Sequence, residues 1–182
     1  YVCFNMDIHQ LAIDLINIES VTGNEREVAE YLAKYCRTIG FADCELEKVE
    51  ENRFNVFAGW KKGSQPKVVF NTHIDTVPPF IPARRDGDTI YGRGACDTKG
   101  IIASMLTAAE LLISEGEFPA LCFVVGEELD SIGAKAAASS GRKAGFVIVG
   151  EPTDNMLVAG HKGSLGYRID AQGIAGHSAF PE

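Results

Sequence analysis

The sequence lacks any long uninterrupted apolar run, and this absence argues against a membrane-spanning segment. A transmembrane helix needs about 20 consecutive, mostly apolar residues, and no stretch of the 182 residues approaches that length. The segment from Tyr1 to Gln10 also lacks the basic start and long apolar core of a secretory signal. We therefore expect a cytoplasmic protein without a membrane partner.

Positive charge and paired cysteines are also scarce. There are 17 Lys and Arg residues against 25 Asp and Glu, a net charge of −8, which disfavours nucleic acid as a partner. The five cysteines are odd in number and never spaced as C-x-x-C, so neither a disulfide framework nor a thiolate zinc site is expected. We expect reduced, mostly packed thiols. Cys96, which stands beside Asp97 in a glycine-rich loop, remains an alternative candidate as a nucleophile.

The hydrophobic pattern alternates between the periods of helices and strands. Apolar residues recur at helical spacing near both 8–15 and 28–39, and an extended pair of segments follows at 44–49 and 55–59. Short apolar runs then alternate with helical segments, which is typical of strands buried on both faces of a sheet. The predicted strands are Lys67 to Asn71, Leu121 to Val125 and Phe146 to Val149, and the predicted helices are Lys99 to Glu115 and Ile132 to Ser139, the latter with Ser131 as its candidate cap.

This order predicts an α/β layered domain with a central, largely parallel sheet flanked by helices. From Met156 onward the segments become extended and no helix follows. We place a domain boundary near His161, with a first domain over 1–160 and the start of a second over 161–182.

Acid or histidine side chains follow the predicted strands. His73 and Asp75 lie two residues apart, so on a strand they share a face, and the Asp75 carboxylate can accept an imidazole N–H. Asp97 lies in a loop with three glycines just before a helix. Each has a simpler explanation, because a histidine at a strand end is often structural and Asp97 is well placed to cap the helix.

Glu127, Glu128 and Glu151 follow the next two strands. Adjacent side chains on extended backbone point in different directions, so one member of the Glu127–Glu128 pair can bind a metal while the other stays free. The alternatives are a solvated acidic surface for the pair and a turn-initiating acid for Glu151, which precedes Pro152.

Four chain segments that all present His, Asp or Glu at a strand or loop end indicate a carboxylate-rich dinuclear site. Two divalent cations carry four positive charges, and three carboxylates with a hydroxide carry four negative ones, with His73 as a neutral donor. Such a pair of ions can bind a carbonyl and activate a bridging water, while a free carboxylate takes its proton.

Four segments, in this order, resemble the signature segments of the dinuclear zinc peptidases and deacylases that include acetylornithine deacetylase, succinyl-diaminopimelate desuccinylase, aminoacylase and glutamate carboxypeptidase. They are HIDTVP, GRGACDTKG, GEELDSIGA and GEPTD. The resemblance implies two Zn²⁺ ions, for which Co²⁺ can substitute, and a zinc-peptidase-like fold with a cis peptide after Asp97. It implies that His73 and Glu151 hold one metal, Asp97 bridges both and Glu128 belongs to the second. Glu127 is then the general base, and Asp75 orients His73.

The resemblance also covers the segment from Gly173 to Pro181, which looks like the start of an α+β lid and dimerisation domain. His177 there matches a histidine that helps to stabilise the oxyanion in the partner subunit's site, although the residues alone favour a polar loop residue. The family's last histidine ligand is expected beyond Glu182.

The function that these expectations imply is metal-dependent hydrolysis of an amide bond in an N-acyl amino acid or small peptide. The reaction would be of the deacetylase, desuccinylase or carboxypeptidase type, through a metal-bridged hydroxide, in a full-length homodimer. The alternatives are a non-catalytic metal-binding or assembly module, or an inactive fragment of such a hydrolase.

Overall fold

A computed structural model describes residues 7–163, 165–170, 172–174, 176–177 and 179. Contacts along the chain separate two units, Tyr1–Pro152 and Thr153–Glu182. The domain boundary near His161 remains a prediction. Cys3 and several residues of the expected lid segment, among them Phe180 and Pro181, lie outside the described residues.

The first unit contains a five-stranded sheet with the order β1-β2-β6-β3-β7. Its strands are β1 Cys44–Glu50, β2 Arg53–Ala58, β3 Val68–His73, β6 Ala120–Val124 and β7 Phe146–Val149, and a separate hairpin consists of β4 Arg84–Asp86 and β5 Thr89–Tyr91. β1 and β2 are antiparallel, as are β2 and β6, whereas β3 is parallel to both β6 and β7. The parallel half of the sheet is therefore the half that carries the predicted site residues.

Helices cover both faces of this sheet, which confirms the α/β layered class. The helices are α1 Ile8–Asn17, α2 Arg26–Thr38, α3 Gly100–Ser114 and α4 Ile132–Ser139. One core cluster joins α1, α2 and α3 to residues such as Leu121 and Phe123 of β6. A smaller cluster around Cys122 and Val124 lies on the other face, where Ala137 of α4 packs. Alternate β6 side chains thus face opposite layers, as strand geometry requires.

Helix caps agree only partly with the sequence. Asp7 precedes α1 and accepts a hydrogen bond from the His9 backbone N–H, as expected of a cap. Ser131 precedes α4 but makes no side-chain cap, and the prediction of its capping role is wrong. Asp130 Oδ1 instead accepts from the Ile132 N–H at 3.1 Å. Asp130, one residue earlier, reaches the Ile132 N–H, whereas Ser131 has a left-handed backbone (φ 54°) and makes no such bond.

The expectation that β7 is buried on both faces is wrong. Every residue of β7 is exposed, from 50% for Val147 to 74% for Phe146, whereas β6 is buried throughout. Among the residues that the structure describes, β7 is the edge strand and pairs only with β3, and within the first unit its faces are left open. An apolar sequence favours burial, but burial also needs neighbours on each side.

Within the second unit, the described residues form no helix and no strand. Several of its apolar side chains are almost fully exposed, including Leu157, Leu165, Tyr167 and Ile169. Across the part of the chain that the structure describes, no helix is both long and apolar enough to cross a bilayer.

Candidate metal centre

His73 is the last residue of β3 and is buried, with 1% exposure. Its Nε2 lies 2.9 Å from Asp97 Oδ1 and 4.0 Å from Glu151 Oε2. Its Nδ1 lies 2.9 Å from the Asp75 backbone oxygen and 3.4 Å from Asp75 Oδ1. An Nδ1–H donated to Asp75 leaves Nε2 facing the two other carboxylates as an electron-pair donor.

Asp75 is fully buried and accepts hydrogen bonds from three other groups. Thr22 Oγ1 donates to Oδ2 at 2.7 Å, and the backbone N–H groups of Glu127 and Glu128 donate at 3.0 and 3.2 Å. Burial alone would raise the pKa of Asp75, but the bonds from His73, Thr22 and the Glu127 backbone lower it below its usual value. Asp75 is therefore an ionised support that fixes the loop carrying both glutamates.

Asp97 lies in the short turn Ala95–Lys99, where its backbone and that of Thr98 depart from helical angles. The Asp97–Thr98 peptide bond is cis, which confirms that expectation. Asp97 does not cap α3, since the residue preceding that helix is Lys99 and no side chain there makes a cap bond. Its carboxylate is 49% exposed and points to His73.

The turn that carries Asp97 is held in place by hydrogen bonds from the next two residues, Thr98 and Lys99. Thr98 Oγ1 donates to the His73 carbonyl oxygen. Lys99, with 1% exposure, donates through Nζ to the carbonyl oxygens of Leu15 (2.8 Å) and Ile18 at the end of α1. Burial lowers the pKa of Lys99 to about 8. Gly94 adopts φ +83°, and a Cβ there would lie 2.9 Å from Thr76 Cγ2, so the turn requires glycine.

Glu151 follows β7 and is positioned through Gly150. The Gly150 N–H donates to the Asn71 oxygen at 2.8 Å, and Thr72 Oγ1 donates to the Gly150 oxygen at 2.7 Å. Burial raises the pKa of Glu151, and the charges of neighbouring carboxylates, among them Asp97 and Glu127, raise it further. The same two causes, with Asp97 the largest neighbouring charge, raise the pKa of Glu128.

The structure brings three of the four predicted metal ligands into one cluster. One ligand atom from each of His73, Asp97 and Glu151 lies within 4.8 Å of the others. Glu128 is outside that cluster but lines, with Asp97, a cavity of about 200 Å³. Asp97 thus contacts both the three-residue cluster and the space that Glu128 faces.

This donor set fits a divalent cation. Burial opposes a charge on the His73 imidazole, yet Asp75, Asp97 and Glu151 raise its pKa to about 9. Burial is the largest cause of the raised pKa values of Glu128 and Glu151, and neighbouring carboxylates add to it. Together with the raised pKa of His73, these carboxylate charges indicate that the cluster favours an added positive charge. One imidazole nitrogen and several carboxylate oxygens are the ligands that Zn²⁺ takes in catalytic sites, and a metal must displace a proton from His73.

Comparison with known proteins decides the family. The family model described as peptidase family M20/M25/M40 matches residues 69–170, a range that begins in β3 and includes all four predicted ligands. The chain belongs to this peptidase family.

This chain is similar to fungal proteins that are considerably longer. It is 43% identical over 176 residues to a peptidase M20 domain-containing protein of Schizosaccharomyces pombe, which covers 92% of this chain and 44% of that protein. It is 39% identical over 191 residues to a probable carboxypeptidase of Aspergillus flavus, with the same coverage of each. The chain therefore spans less than half the length of these relatives.

The fold also matches the solved structure of a peptidase. A tripeptidase from Staphylococcus aureus superposes with a TM-score of 0.66 and 25% identity, over 78% of this chain and 42% of that protein. The zinc-peptidase-like fold predicted from the four segments is confirmed by this likeness.

His177 lies in the second unit, Thr153–Glu182. Its Nδ1 accepts a hydrogen bond from the Ala179 backbone N–H at 3.2 Å. Its role at a partner subunit's site remains a prediction.

Cys96 is exposed and lines the cavity next to Asp97, whereas Cys36 and Cys122 are buried.

Sequence reasoning missed the residues that support the site. Thr22 holds Asp75 from 53 residues away, and Thr72 holds Gly150 from 78 residues away. Arg93 donates to the carbonyl oxygens of Pro79 (3.1 Å) and Pro78 (3.4 Å) and lines the same cavity as Asp97.

Proposed function

We propose that the full-length protein is a metal-dependent peptidase or deacylase that hydrolyses one amide bond in a small peptide or N-acyl amino acid. The observation that carries the proposal is the cluster of His73, Asp97 and Glu151 at the carboxyl end of the parallel strands. Ligand sites of α/β sheets lie at that edge. The tripeptidase and carboxypeptidase names of similar proteins support a peptide substrate.

In this proposal, His73, Asp97 and Glu151 hold one Zn²⁺ ion, and Asp97 and Glu128 hold a second. Co²⁺ can substitute, because the ligands are nitrogen and oxygen atoms that both metals accept. A divalent cation bound there polarises the scissile carbonyl and lowers the pKa of a bound water.

Glu127 is the proposed general base. Its backbone N–H donates to Asp75 Oδ1 at 3.0 Å, which fixes Glu127 in the loop that also carries Glu128. Its negative charge contributes to the raised pKa of both Glu128 and Glu151. Glu127 takes a proton from the attacking water and returns it to the leaving amine nitrogen. Asp75 keeps His73 Nδ1 protonated, so that Nε2 keeps its lone pair free to bind a metal ion.

The decisive variant is Glu127→Gln in full-length, metal-loaded protein. We expect turnover of di- and tripeptides and N-acyl amino acids to fall by about 10²- to 10⁴-fold, while metal content by elemental analysis stays unchanged. The matched control is Glu117→Gln, an exposed glutamate beyond the end of α3, which should retain wild-type turnover.

The outcome also separates the alternatives. A non-catalytic metal-binding module would bind metal and show no metal-dependent release of amine in the wild type. An inactive fragment would show no turnover for this chain alone while the full-length protein is active. The homodimer, and the part that His177 plays in it, are proposals that mixing His177→Ala with Glu127→Gln protein would test, because restored activity requires a site shared between subunits.

A further inference from the structure

The loop between β6 and α4 is closed at its base by backbone hydrogen bonds. We call residues 126–131 the glutamate loop, because they include the proposed base and the proposed ligand of the second metal. The Gly126 oxygen accepts from the Ser131 N–H at 2.7 Å, and the Gly133 N–H of α4 donates to the Val125 oxygen at 2.9 Å. These bonds close the loop on itself and on α4, so its position relative to the sheet depends on other contacts.

Arg53, the first residue of β2, lies beside the start of the glutamate loop. The antiparallel pairing of β2 with β6 joins Val56 to Phe123, and continuing that register places Arg53 level with Gly126. A Cβ at Gly126 would lie 2.5 Å from Arg53 Nη2 and 2.9 Å from Ile132 Cγ2. The guanidinium therefore packs against the Gly126 backbone, which has φ +71° and leaves no room for a side chain.

Arg53 is itself held by two carboxylates. Its Nε and Nη2 donate to the two oxygens of Glu25 at 3.0 and 2.7 Å, and its Nη1 donates to Glu50 Oε2 at 2.9 Å. Glu25 is fully buried at the start of α2, and the Arg53 side chain is 10% exposed. A two-pronged bond between arginine and a carboxylate fixes the plane of the guanidinium. Gly126 thus packs against a surface whose position is set by α2 and β2.

Asn55, two residues along β2, connects the sheet to the base of the same loop. It is fully buried, its Oδ1 accepts the Val125 N–H at 3.1 Å, and its Nδ2 donates to the Gly133 oxygen at 2.8 Å. Residues two apart on a strand share a face. Arg53 and Asn55 therefore hold the end of β6 from the same face of β2, at the point where β6 turns into the glutamate loop.

We propose that Arg53 is a positioning residue that acts through Gly126 on Glu127 and Glu128. Asp75 accepts the backbone N–H groups of both glutamates at 3.0 and 3.2 Å, and Arg53 packs on the residue that precedes them. Without the guanidinium, the loop can shift into the space beside Gly126 and move both carboxylates relative to the first metal, whose ligands other segments carry. The inference rests on the proposed function, in which a displacement of about 1 Å can cost about 10²-fold in rate.

The test compares two double variants of the full-length protein. Arg53→Met is combined with Glu25→Gln, so that no buried charge is left unpaired. The matched control is Arg142→Met with Glu47→Gln. Arg142 is as deeply buried as Arg53, with 1% side-chain exposure, and its Nη1 donates to Glu47 Oε2 at 2.8 Å.

Zn²⁺ titration calorimetry and turnover separate positioning from stability. In the Arg53 double variant we expect the affinity of the second site and kcat each to fall by at least about tenfold, with the affinity of the first site within about threefold of wild type. The Arg142 double variant should keep both affinities and kcat, whatever stability it loses.

Hydrogen exchange in the metal-free protein gives a readout that needs neither metal nor turnover. We expect the N–H groups of Glu127 and Glu128 to exchange at least about tenfold faster in the Arg53 double variant than in the Arg142 double variant. The reference is the Ile74 N–H, which donates to the Val124 oxygen at 2.9 Å in the same sheet and should exchange equally in both.

Equal loop exchange and equal second-site affinity in the two double variants would overturn the proposal. Arg53→Lys serves if the Arg53 double variant does not fold, since lysine keeps a charge beside Glu25 but lacks the planar group that packs on Gly126. It should show the same losses, and wild-type loop exchange in it would equally overturn the proposal. A wild type without metal-dependent turnover would refute the proposed function, whereas the exchange comparison would still decide the role of Arg53.

Discussion

The acids of the candidate metal centre fall into two regions that differ in burial and in the direction of their pKa shifts. Asp75 is fully buried, accepts bonds from Thr22 and two backbone N–H groups, and has a lowered pKa. Glu128 and Glu151 are more open, lie near other carboxylates, and have raised pKa values. The difference indicates that the buried acid stabilises the folded chain, whereas the open acids are stabilised only when a cation joins them.

The largest test of this contrast is Asp75→Asn. The amide removes a buried negative charge that three hydrogen-bond donors and His73 surround, so we expect the free energy of unfolding to fall by about 3–5 kcal/mol. Urea denaturation followed by circular dichroism measures the change. The matched control is Asp88→Asn in the exposed β4–β5 turn, which should stay within about 0.5 kcal/mol of wild type. Equal effects of the two changes would show that Asp75 is not a structural support.

A second test is the pH dependence of the metal-free protein. Folding raises the pKa of His73 from 6.5 to about 9, so its stabilisation is fully present below pH 6.5 and is lost as pH rises through 9. The raised pKa values of Glu128 and Glu151 act in the same direction above their usual value of 4.5. We expect the free energy of unfolding to fall with rising pH, by up to about 3 kcal/mol from His73.

Metal should reverse this trend, because binding requires the deprotonated imidazole and becomes tighter as pH rises towards 9. Urea denaturation at several pH values, with and without Zn²⁺, measures both slopes. His73→Gln should remove most of the slope in the metal-free protein. A wild type whose stability rises over the same range would contradict the account of the cluster as a group that favours positive charge.

The smallest expected effect on folding is that of Glu151→Gln. Removing one of several repelling carboxylates should leave the metal-free stability unchanged or raise it by up to about 1 kcal/mol. Zn²⁺ affinity by titration calorimetry should nevertheless fall by at least about tenfold, because one ligand charge is lost. The control is again Glu117→Gln. A loss of stability comparable to that of Asp75→Asn would erase the distinction between the two regions.

Local sequence pattern was enough to predict the strands and helices and to single out His73 and Glu151 as candidate site residues. The apolar runs placed β3, β6 and β7 close to their observed positions. Glu151, which follows β7, lies near His73 at the end of β3 because parallel strands end at one edge. The motif resemblance also implied the cis bond after Asp97, which hydrophobic patterning cannot indicate.

Long-range support was not predictable from pattern. Thr22 lies in what looks like an ordinary turn, and nothing in its spacing indicates that its hydroxyl bonds to Asp75 53 residues later. The exposure of β7 was missed for a related reason, since Phe146 to Val149 resemble β6 in composition but lack its neighbours. Pattern predicts which residues favour burial, and the partners of a segment determine whether it is buried.

The buried ammonium of Lys99 links helix α1 to the candidate metal centre. Its two bonds reach the carbonyl oxygens of Leu15 and Ile18, where the partial negative charge of α1 is concentrated. Asp97 lies two residues before this lysine, so the end of α1 helps to hold a predicted metal ligand in place. A shortened protein that begins after Ile18 would leave that cation unpaired in the core and release the turn that presents Asp97.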